Sequence, residues 1–332
     1  MSFQWSISTD KLFRRCQRQF FFRQIAAHAT ATEDWRREAF ILRQVKTLEL
    51  WRGTIIHEGI EKFLIPALRC GGTVPWDEII ARTLQRAHDQ FSFSAQRRYR
   101  EPGMVKGKCP DFCALAPHEA AKAVSSEDFA NVCLTVRTAF ERLSSLTQLW
   151  ERFGPHHYWE AEVPLSVKFH DVSIKVQIDV LLERSPHQLT IIDWKSYDVG
   201  GDSDARLQTA LYAWAVWRSR RHHLRRPEDI ELIECQVQDG TIIEHECSRE
   251  VFDDLEDYIY RSIQRIFSLT QSKKLGEVRL EDFAFTDNPN NCEHCTVRPV
   301  CIAMLSNTST PSPELESIAS LPDREEVTLR LL

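Results

Sequence analysis

The chain has 332 residues, a net charge of −6 and 42% hydrophobic residues. This length and apolar content are sufficient for one large domain or two, and the negative charge does not by itself indicate nucleic-acid binding. No apolar run approaches the ~20 residues of a membrane span, and the N-terminus MSFQWSISTD lacks the basic and apolar regions of a signal peptide, so we expect a cytoplasmic protein without membrane contact.

The first predicted element is a helix over residues 9–26, TDKLFRRCQRQFFFRQIA, with Ser8 as its N-cap. Cys16 lies near its middle, where a buried free cysteine is the ordinary interpretation. This helix carries a basic cluster interleaved with phenylalanines, and two further basic clusters follow at residues 97–108 and 218–226. Each alone is typical of a solvated face, but together they predict a locally basic channel. The first cluster consists of Arg14, Arg15, Arg18 and Arg23.

A second helical region is predicted over residues 35–69. It contains GTIIHEGIEKFL, in which His57, Glu61 and Leu64 recur at helical spacing. From the spacing alone, a histidine on such a mixed helix face is most often structural.

Residues 70–125 carry fewer signals, although a helix is predicted near 77–90. Cys109 and Cys113 have the spacing C-x₃-C without a second cysteine pair nearby, so we interpret them as loop or packing residues. A further helix near 126–151 leads to the strands.

The first long strand is predicted in WEAEVPLSVKF, which places Glu160 and Glu162 on one face. The next strand alternates apolar and polar residues, so one face is buried and Asp179 lies on the other. The predicted buried row is Val172, Ile174, Val176, Ile178 and Val180.

A turn at Ser185 and Pro186 precedes the strand that ends in Asp-Trp-Lys. Asp193 and Lys195 are two residues apart on one face of this strand, at about 6 to 7 Å. Both side chains can therefore reach one small ligand.

Asp179, Asp193 and Lys195 form a set suited to phosphodiester hydrolysis. Carboxylates are hard oxygen ligands for Mg²⁺ or Mn²⁺, which polarises a phosphoryl oxygen and lowers the pKa of bound water. A neighbouring lysine can position that water and stabilise negative charge on phosphorus. An isolated D-x-K tripeptide is more often a surface ion pair, so the surrounding residues decide the interpretation.

The segment LQTALYAWAV is predicted to be a helix whose buried stripe is Leu207, Leu211 and Trp214. Gln208 and Tyr212 are four residues apart and share another face.

The strands ELIECQVQ and TIIEHEC, joined at Asp239 and Gly240, are predicted to form a hairpin. An amphipathic helix is predicted over residues 249–272. Beyond Met304 the chain is rich in Ser, Thr, Pro and acidic residues, which predicts disorder.

Three cysteines are closely spaced before this tail. Cys292, Cys295 and Cys301 have the spacing C-x₂-C-x₅-C, which in a reducing compartment points to a metal with a fourth ligand from elsewhere. Zinc completed by His294 or a distant cysteine is the chemical default.

Taken together, an acid on one strand, D-W-K on the next and Q-x-x-x-Y on the following helix resemble the PD-(D/E)XK nuclease superfamily, in its RecB-like branch. The resemblance implies that Gln208 and Tyr212 contact substrate. It also matches Gly53 and His57 to a G-x-x-x-H segment whose histidine joins the metal. It implies metal ligation by His57, Asp179, Asp193 and the backbone carbonyl of Trp194, with Glu162 as an additional acid, and catalysis by Lys195.

The same resemblance, to the AddB nuclease domain and a CRISPR-associated exonuclease, favours a 4Fe-4S cluster over zinc. It implies that Cys16 is the upstream ligand, joined by Cys292, Cys295 and Cys301 near the C-terminus. Such a cluster would hold both ends of the chain around the core.

The expected fold is α/β, with a restriction-endonuclease-like mixed sheet flanked by helices and an iron-sulfur patch joining both termini. We divide the chain into an N-terminal helical region (1–155), a nuclease core (156–285), a cysteine motif (286–304) and a disordered tail (305–332).

The expected function is metal-dependent cleavage of DNA, as an exonuclease on single-stranded or end-containing DNA, in repair, recombination or phage defence. A helicase or a defence-complex protein is the expected partner. The alternatives are a DNA-binding subunit without catalysis, which would lack an intact catalytic set, and a zinc scaffold, which would leave the D-W-K constellation unexplained.

Overall fold

The computed structural model describes residues 3–153, 158–185, 187–196, 202–219, 224–270 and 278–306. The predicted disordered tail lies almost entirely outside these ranges, as do residues 220–223 of the basic cluster at 218–226. Within them, no helix combines the length and the hydropathy needed to cross a membrane.

The centre of the fold is a six-stranded mixed sheet, as expected. β3 pairs antiparallel with β2 and β4 and parallel with β1, while β5 pairs parallel with β4 and antiparallel with β6. The strands are β1 Gln4–Trp5, β2 Tyr158–Phe169, β3 Val172–Ser185, β4 Gln188–Lys195, β5 Ile230–Gln236 and β6 Ile242–His245.

Helices cover both faces of the sheet. They are α1 Ile7–Arg15, α2 Gln17–Phe20, α3 Asp34–Leu42, α4 Leu48–Gly59, α5 Ile65–Cys70, α6 Trp76–Ala95, α7 Ala116–Glu119, α8 Ser126–Ser145, α9 Thr147–Arg152, α10 Asp202–Ser219, α11 Arg249–Thr270, α12 Asn290–Glu293 and α13 Arg298–Ser306. Short π-helical segments, Phe21–Ala26 and Ile60–Leu64, follow α2 and α4.

The sheet separates two hydrophobic cores. The first contains α1, α10 and α11, and the second contains α4, α6 and α8. β3 contributes Ile178 to the first core but Val180 to the second, so the prediction that Val180 shares the face of Ile178 is wrong. The alternation changes at Asp179, next to the irregular β2 position described below.

The N-terminal helix differs from the prediction in two ways. Its N-cap is Ser6 rather than Ser8, because the Ser6 hydroxyl accepts a hydrogen bond from the Thr9 amide at 3.2 Å. It is also interrupted at Cys16, whose backbone is extended and whose sulfur accepts from the Gln19 amide at 3.4 Å. Cys16 therefore lies at a helix break and not within a continuous helix.

The predicted helix over 35–69 is likewise divided into α3, α4 and α5. The helices predicted near 77–90 and 126–151 are confirmed, and the helix predicted over 249–272 is confirmed to Thr270, where the described range ends. The hairpin turns at Gly240, where φ is +82°. Gly59 permits close packing of α4, because a Cβ atom there would lie 2.6 Å from the Phe140 ring. The helix that carries His57 is thus packed tightly against α8.

The two ends of the described chain pack against each other. The buried carboxylate of Asp10 accepts hydrogen bonds from Tyr258 and Ser262 of α11. The Gln17 side chain accepts from the Ala284 amide at 3.0 Å. Long-range contacts of this kind bring the N-terminal helices beside the C-terminal cysteines.

Candidate active site and cysteine cavity

The centre of the site is the point where β3 and β4 separate. These strands pair from Val180 and Ile192 toward their shared turn, whereas β4 pairs with β5 along Leu189–Lys195. The Asp179 carboxylate lies where β3 and β4 separate and accepts a hydrogen bond from the Trp194 amide at 2.9 Å. Burial and this bond hold the carboxylate beside the end of β4.

Asp193 and Lys195 lie together at the end of β4, as predicted. The Lys195 Nζ atom is 2.5 Å from Asp193 Oδ2 and donates to Gln208 Oε1 at 2.9 Å. The Gln208 amide nitrogen donates to Tyr212 OH at 2.6 Å and to Asp193 Oδ1 at 3.5 Å. The side chains of α10 thereby hold the lysine in one position.

A second group of side chains has the geometry of a metal site. Ligand atoms of His57, Glu162 and Asp179 all lie within 4.8 Å of one another, and His57 Nδ1 is 3.8 Å from Asp179 Oδ2. Asp193 is not part of this group, since its carboxylate is directed at Lys195. Metal ligation by Asp193 and by the Trp194 carbonyl stays a prediction.

Glu162 reaches this group through an unusual backbone conformation. It lies between the register pairs Ala161–Val180 and Val163–Ile178, which places it opposite Asp179. Its φ of +52° is in the left-handed region, which is costly for residues other than glycine and is concentrated at functional sites. Gln177 donates to its carboxylate at 3.0 Å.

Burial raises the pKa of both aspartates. The pKa of Asp179 rises to about 7 and that of Asp193 to about 6, because desolvation disfavours the carboxylates, although Lys195 opposes the rise in both. Burial also raises the pKa of Glu162 and lowers that of His57. A neutral imidazole beside crowded carboxyl groups suits a divalent cation, which would compensate their charge.

The group opens into a cleft of ≈ 670 Å³. One wall is formed by α4 and the segment that follows it, including Gly53 and His57. The opposite wall is the segment 106–112, with Lys106, Cys109 and Phe112. The sequence analysis did not predict that this segment lines the cleft. The local signal for such a role was the pair of lysines at 106 and 108.

The structure also brings together the four cysteines that the resemblance selected. Cys16, Cys292, Cys295 and Cys301 line one small cavity, along with Phe22 and Phe285. Burial raises the pKa of the Cys295 thiol to about 11 and that of Cys301 to about 12. By contrast, Cys109 lines the catalytic cleft and Cys113 belongs to the second core, in agreement with their interpretation as loop and packing residues.

The predicted basic channel is only partly present. Arg18 is buried, donates to the Phe283 carbonyl at 3.1 Å and lies over the Phe285 ring. Arg100 pairs with Glu38 and Glu119. Arg18 of the first cluster therefore lies at the cysteine cavity. In the second cluster Arg97, Arg98 and Arg100 pair with glutamates, whereas Lys106 lines the cleft.

These pKa shifts predict pH-dependent metal binding. Binding of Mn²⁺ by Asp179 and Asp193 would require both carboxyl groups to lose their protons, so we expect the affinity to fall by at least about tenfold from pH 8 to pH 6. Because the folded pKa values are raised, the metal-free fold should also lose stability as pH rises from about 4 to about 7. Calorimetric titration and thermal unfolding measure the two effects, and equal affinity at pH 6 and pH 8 would contradict the prediction.

The family model of the PD-(D/E)XK nuclease superfamily matches residues 4–302. Among solved structures, one from Eubacterium rectale, described as a candidate exonuclease, is 12% identical, with 88% of this chain and 98% of that chain covered and a TM-score of 0.36. A second, designated SSO0001, is 15% identical, with 52% and 73% covered and a TM-score of 0.29. No curated protein matches the chain.

Proposed function

The chain belongs to the PD-(D/E)XK nuclease superfamily, whose model matches residues 4–302, and from this we propose that it is a Mg²⁺- or Mn²⁺-dependent deoxyribonuclease. The observation that carries the proposal is the complete set where β3 and β4 separate, with Asp193 and Lys195 on β4 and Asp179 on β3. The competing role of a non-catalytic DNA-binding subunit would not require all three groups.

We assign metal binding to His57, Glu162, Asp179 and Asp193. A bound divalent cation supplies Lewis-acid polarisation of the scissile phosphate and a bound water of lowered pKa. Asp179 keeps its orientation through the Trp194 amide. The left-handed backbone of Glu162 is compatible with a rigid ligand position, since strained conformations are maintained where the surroundings define them.

Lys195 orients the attacking water and stabilises negative charge on the phosphoryl oxygens. Its Nζ atom donates to Gln208 Oε1 and forms an ion pair with Asp193. An ammonium group has three donor positions, so Lys195 can also donate to water or phosphate. Gln208 and Tyr212 position Lys195 and contact substrate, and by family analogy water displaces the 3′ oxygen and leaves a 5′-phosphate.

We further place the chain in the RecB-like branch with a 4Fe-4S cluster at Cys16, Cys292, Cys295 and Cys301. The four cysteines line one cavity, and the resemblance to RecB-like nucleases with this cysteine spacing favours the iron-sulfur cluster over zinc.

Three arginines beside this cavity support an anionic cluster. Burial raises the pKa of each thiol, and a nearby arginine offsets part of that rise. This arginine is Arg18 for Cys301, Arg23 for Cys295 and Arg298 for Cys292. Positive charge at each thiol favours the thiolates that bind iron. The N-terminal region 1–155 would thus supply both His57 and the first cluster ligand, and the motif 286–304 the other three.

The substrate proposal is DNA that is single-stranded or has free ends, processed with a helicase or defence-complex partner in repair, recombination or CRISPR adaptation. End-labelled linear and covalently closed single-stranded DNA, incubated with Mg²⁺ or Mn²⁺, test it. We expect cleavage of the linear DNA that stops in EDTA. Cleavage of neither substrate by anaerobically purified protein would contradict the catalytic proposal and favour a binding subunit.

His57→Ala should weaken Mn²⁺ binding and cleavage together, because the imidazole belongs to the proposed ligand group. Calorimetric titration with Mn²⁺ measures the affinity, with Asp179→Ala as the variant that loses it. His88→Ala, an exposed histidine on α6, is the matched control and should bind normally. Normal affinity in the His57 variant would return this histidine to a structural role.

A further inference from the structure

The outer face of β2 connects the proposed metal group to a second pocket. Pro164, Ser166 and Lys168 follow at intervals of two residues, are exposed and therefore lie on one face of the strand. Glu162 reaches this face through its hydrogen bond from Gln177, the residue paired with Pro164. Ser166 lines two clefts, one of ≈ 560 Å³ that also contains Gln177 and one of ≈ 610 Å³ at the far end of the strand. Gln177 also donates to Glu162. The two neighbouring clefts therefore form a row that begins at the proposed metal group.

The far pocket is basic although the whole chain is acidic. The side chains of Arg218 and Arg249 are 44% and 66% exposed, and they lie 3.9 and 3.0 Å from Glu256 and Asp253. The three cations, Lys168, Arg218 and Arg249, outnumber these two carboxylates, so the pocket has a net positive charge that attracts phosphates. The basic residues and one tryptophan that line the pocket are Lys168, Trp217, Arg218 and Arg249.

Two elements give similar distances from the metal group to this pocket. Six residues of β2 separate Glu162 from Lys168, which corresponds to about 20 Å. Ten residues of α10, which packs against β2, separate Gln208 from Arg218, which corresponds to about 15 Å. α10 and β2 therefore both extend from the catalytic residues to the basic pocket.

We propose that a single nucleic-acid strand leaves the metal group along the outer face of β2, and that Lys168, Arg218 and Arg249 bind its phosphates at the far end. The inference rests on the proposed nuclease function and extends it to a second binding site. Trp217 supplies an aromatic surface beside the phosphates, as in other single-strand sites. A distance of 15 to 20 Å corresponds to about four to six stacked nucleotides, and to fewer in an extended strand.

The test is the length dependence of binding by the full chain. Fluorescence anisotropy with Mn²⁺, in the Lys195→Ala background, measures the affinity for single-stranded oligodeoxynucleotides of about two to about twelve nucleotides. We expect a steep gain once an oligonucleotide reaches both sites. The triple variant Lys168→Gln, Arg218→Gln, Arg249→Gln should lose this gain, bind the longest strand at least about tenfold more weakly and show a salt slope lower by about 2.

Arg261→Gln is the matched control for Arg249→Gln. Both arginines lie on α11, are largely exposed and pair with an aspartate four residues away, but Arg261 does not line the pocket. Its variant should keep the full length dependence.

A length dependence that is unchanged in the triple variant would overturn the proposal. Self-association of the triple variant would instead indicate that Lys168 protects the edge of β2 against pairing with another chain. In that case the proposed nucleic-acid path along β2 is wrong. A gain that the triple variant loses, in a protein that hydrolyses none of the DNA substrates, would uphold the binding site while contradicting the proposed nuclease.

Discussion

Lys195→Ala should lower the rate of DNA cleavage by about 100-fold or more, since groups that activate water or stabilise charge at phosphorus contribute at least that much. From the sequence, Lys195 is a strand-end lysine of small importance for stability. In the structure its side chain is only 9% exposed, and it is the counterion of the buried Asp193. Removing it should also raise the pKa of Asp193, because Lys195 opposes the effect of burial there.

The assay must therefore separate metal loss from catalytic loss. We would measure single-turnover cleavage at saturating Mn²⁺ and pH 8, where both aspartates are ionised, together with calorimetric Mn²⁺ binding. Lys195→Met, which keeps the length of the side chain without its charge, should be as inactive as the alanine variant. Lys122→Ala, an exposed lysine that lines none of the described clefts, should be fully active. A Lys195 variant that binds Mn²⁺ and retains more than about a tenth of the wild-type rate would remove this residue from the catalytic set.

Cys16→Ser should abolish the iron-sulfur cluster as completely as Cys295→Ser. Anaerobically purified wild-type protein should be brown, absorb broadly near about 400 nm and contain about four irons per chain. Because ligand binding is coupled to the folding of the segments that supply the thiolates, loss of either cysteine should also expose both ends of the chain to protease. Cys16→Ser should also change the N-terminal cap of α2, because the Cys16 sulfur accepts a hydrogen bond from the Gln19 amide there.

Cys109→Ser is the matched control, because Cys109 is also partly buried but lines the catalytic cleft instead of the cysteine cavity. It should keep its colour and its protease resistance. Colourless anaerobic protein with one zinc per chain would refute the 4Fe-4S assignment. That result would leave the nuclease proposal intact, because Asp179, Asp193 and Lys195 lie on β3 and β4, away from the cysteines.

The sequence by itself determined the strands around Asp179 and Asp193 and the helix that carries Gln208. These features depend on local rules, namely the period-two alternation of a strand, the turn at Ser185 and the four-residue spacing of a helix face. The spacing of the C-terminal cysteines is equally local. The choice of Cys16 as their partner came from resemblance to a family.

Only the tertiary structure decided which distant residues share the site. Glu162 reaches His57 and Asp179 because the β2–β3 register places it opposite Asp179 and its backbone adopts a left-handed conformation, and neither property follows from local periodicity. The wall at 106–112 and the helix break at Cys16 likewise depend on contacts with distant segments, which no short window of sequence contains. The burial of Lys195 has the same origin, because α10 lies beside the end of β4 and its Gln208 side chain accepts a hydrogen bond from Lys195. The Asp193–Lys195 ion pair is therefore buried within the proposed active site and is not a surface pair.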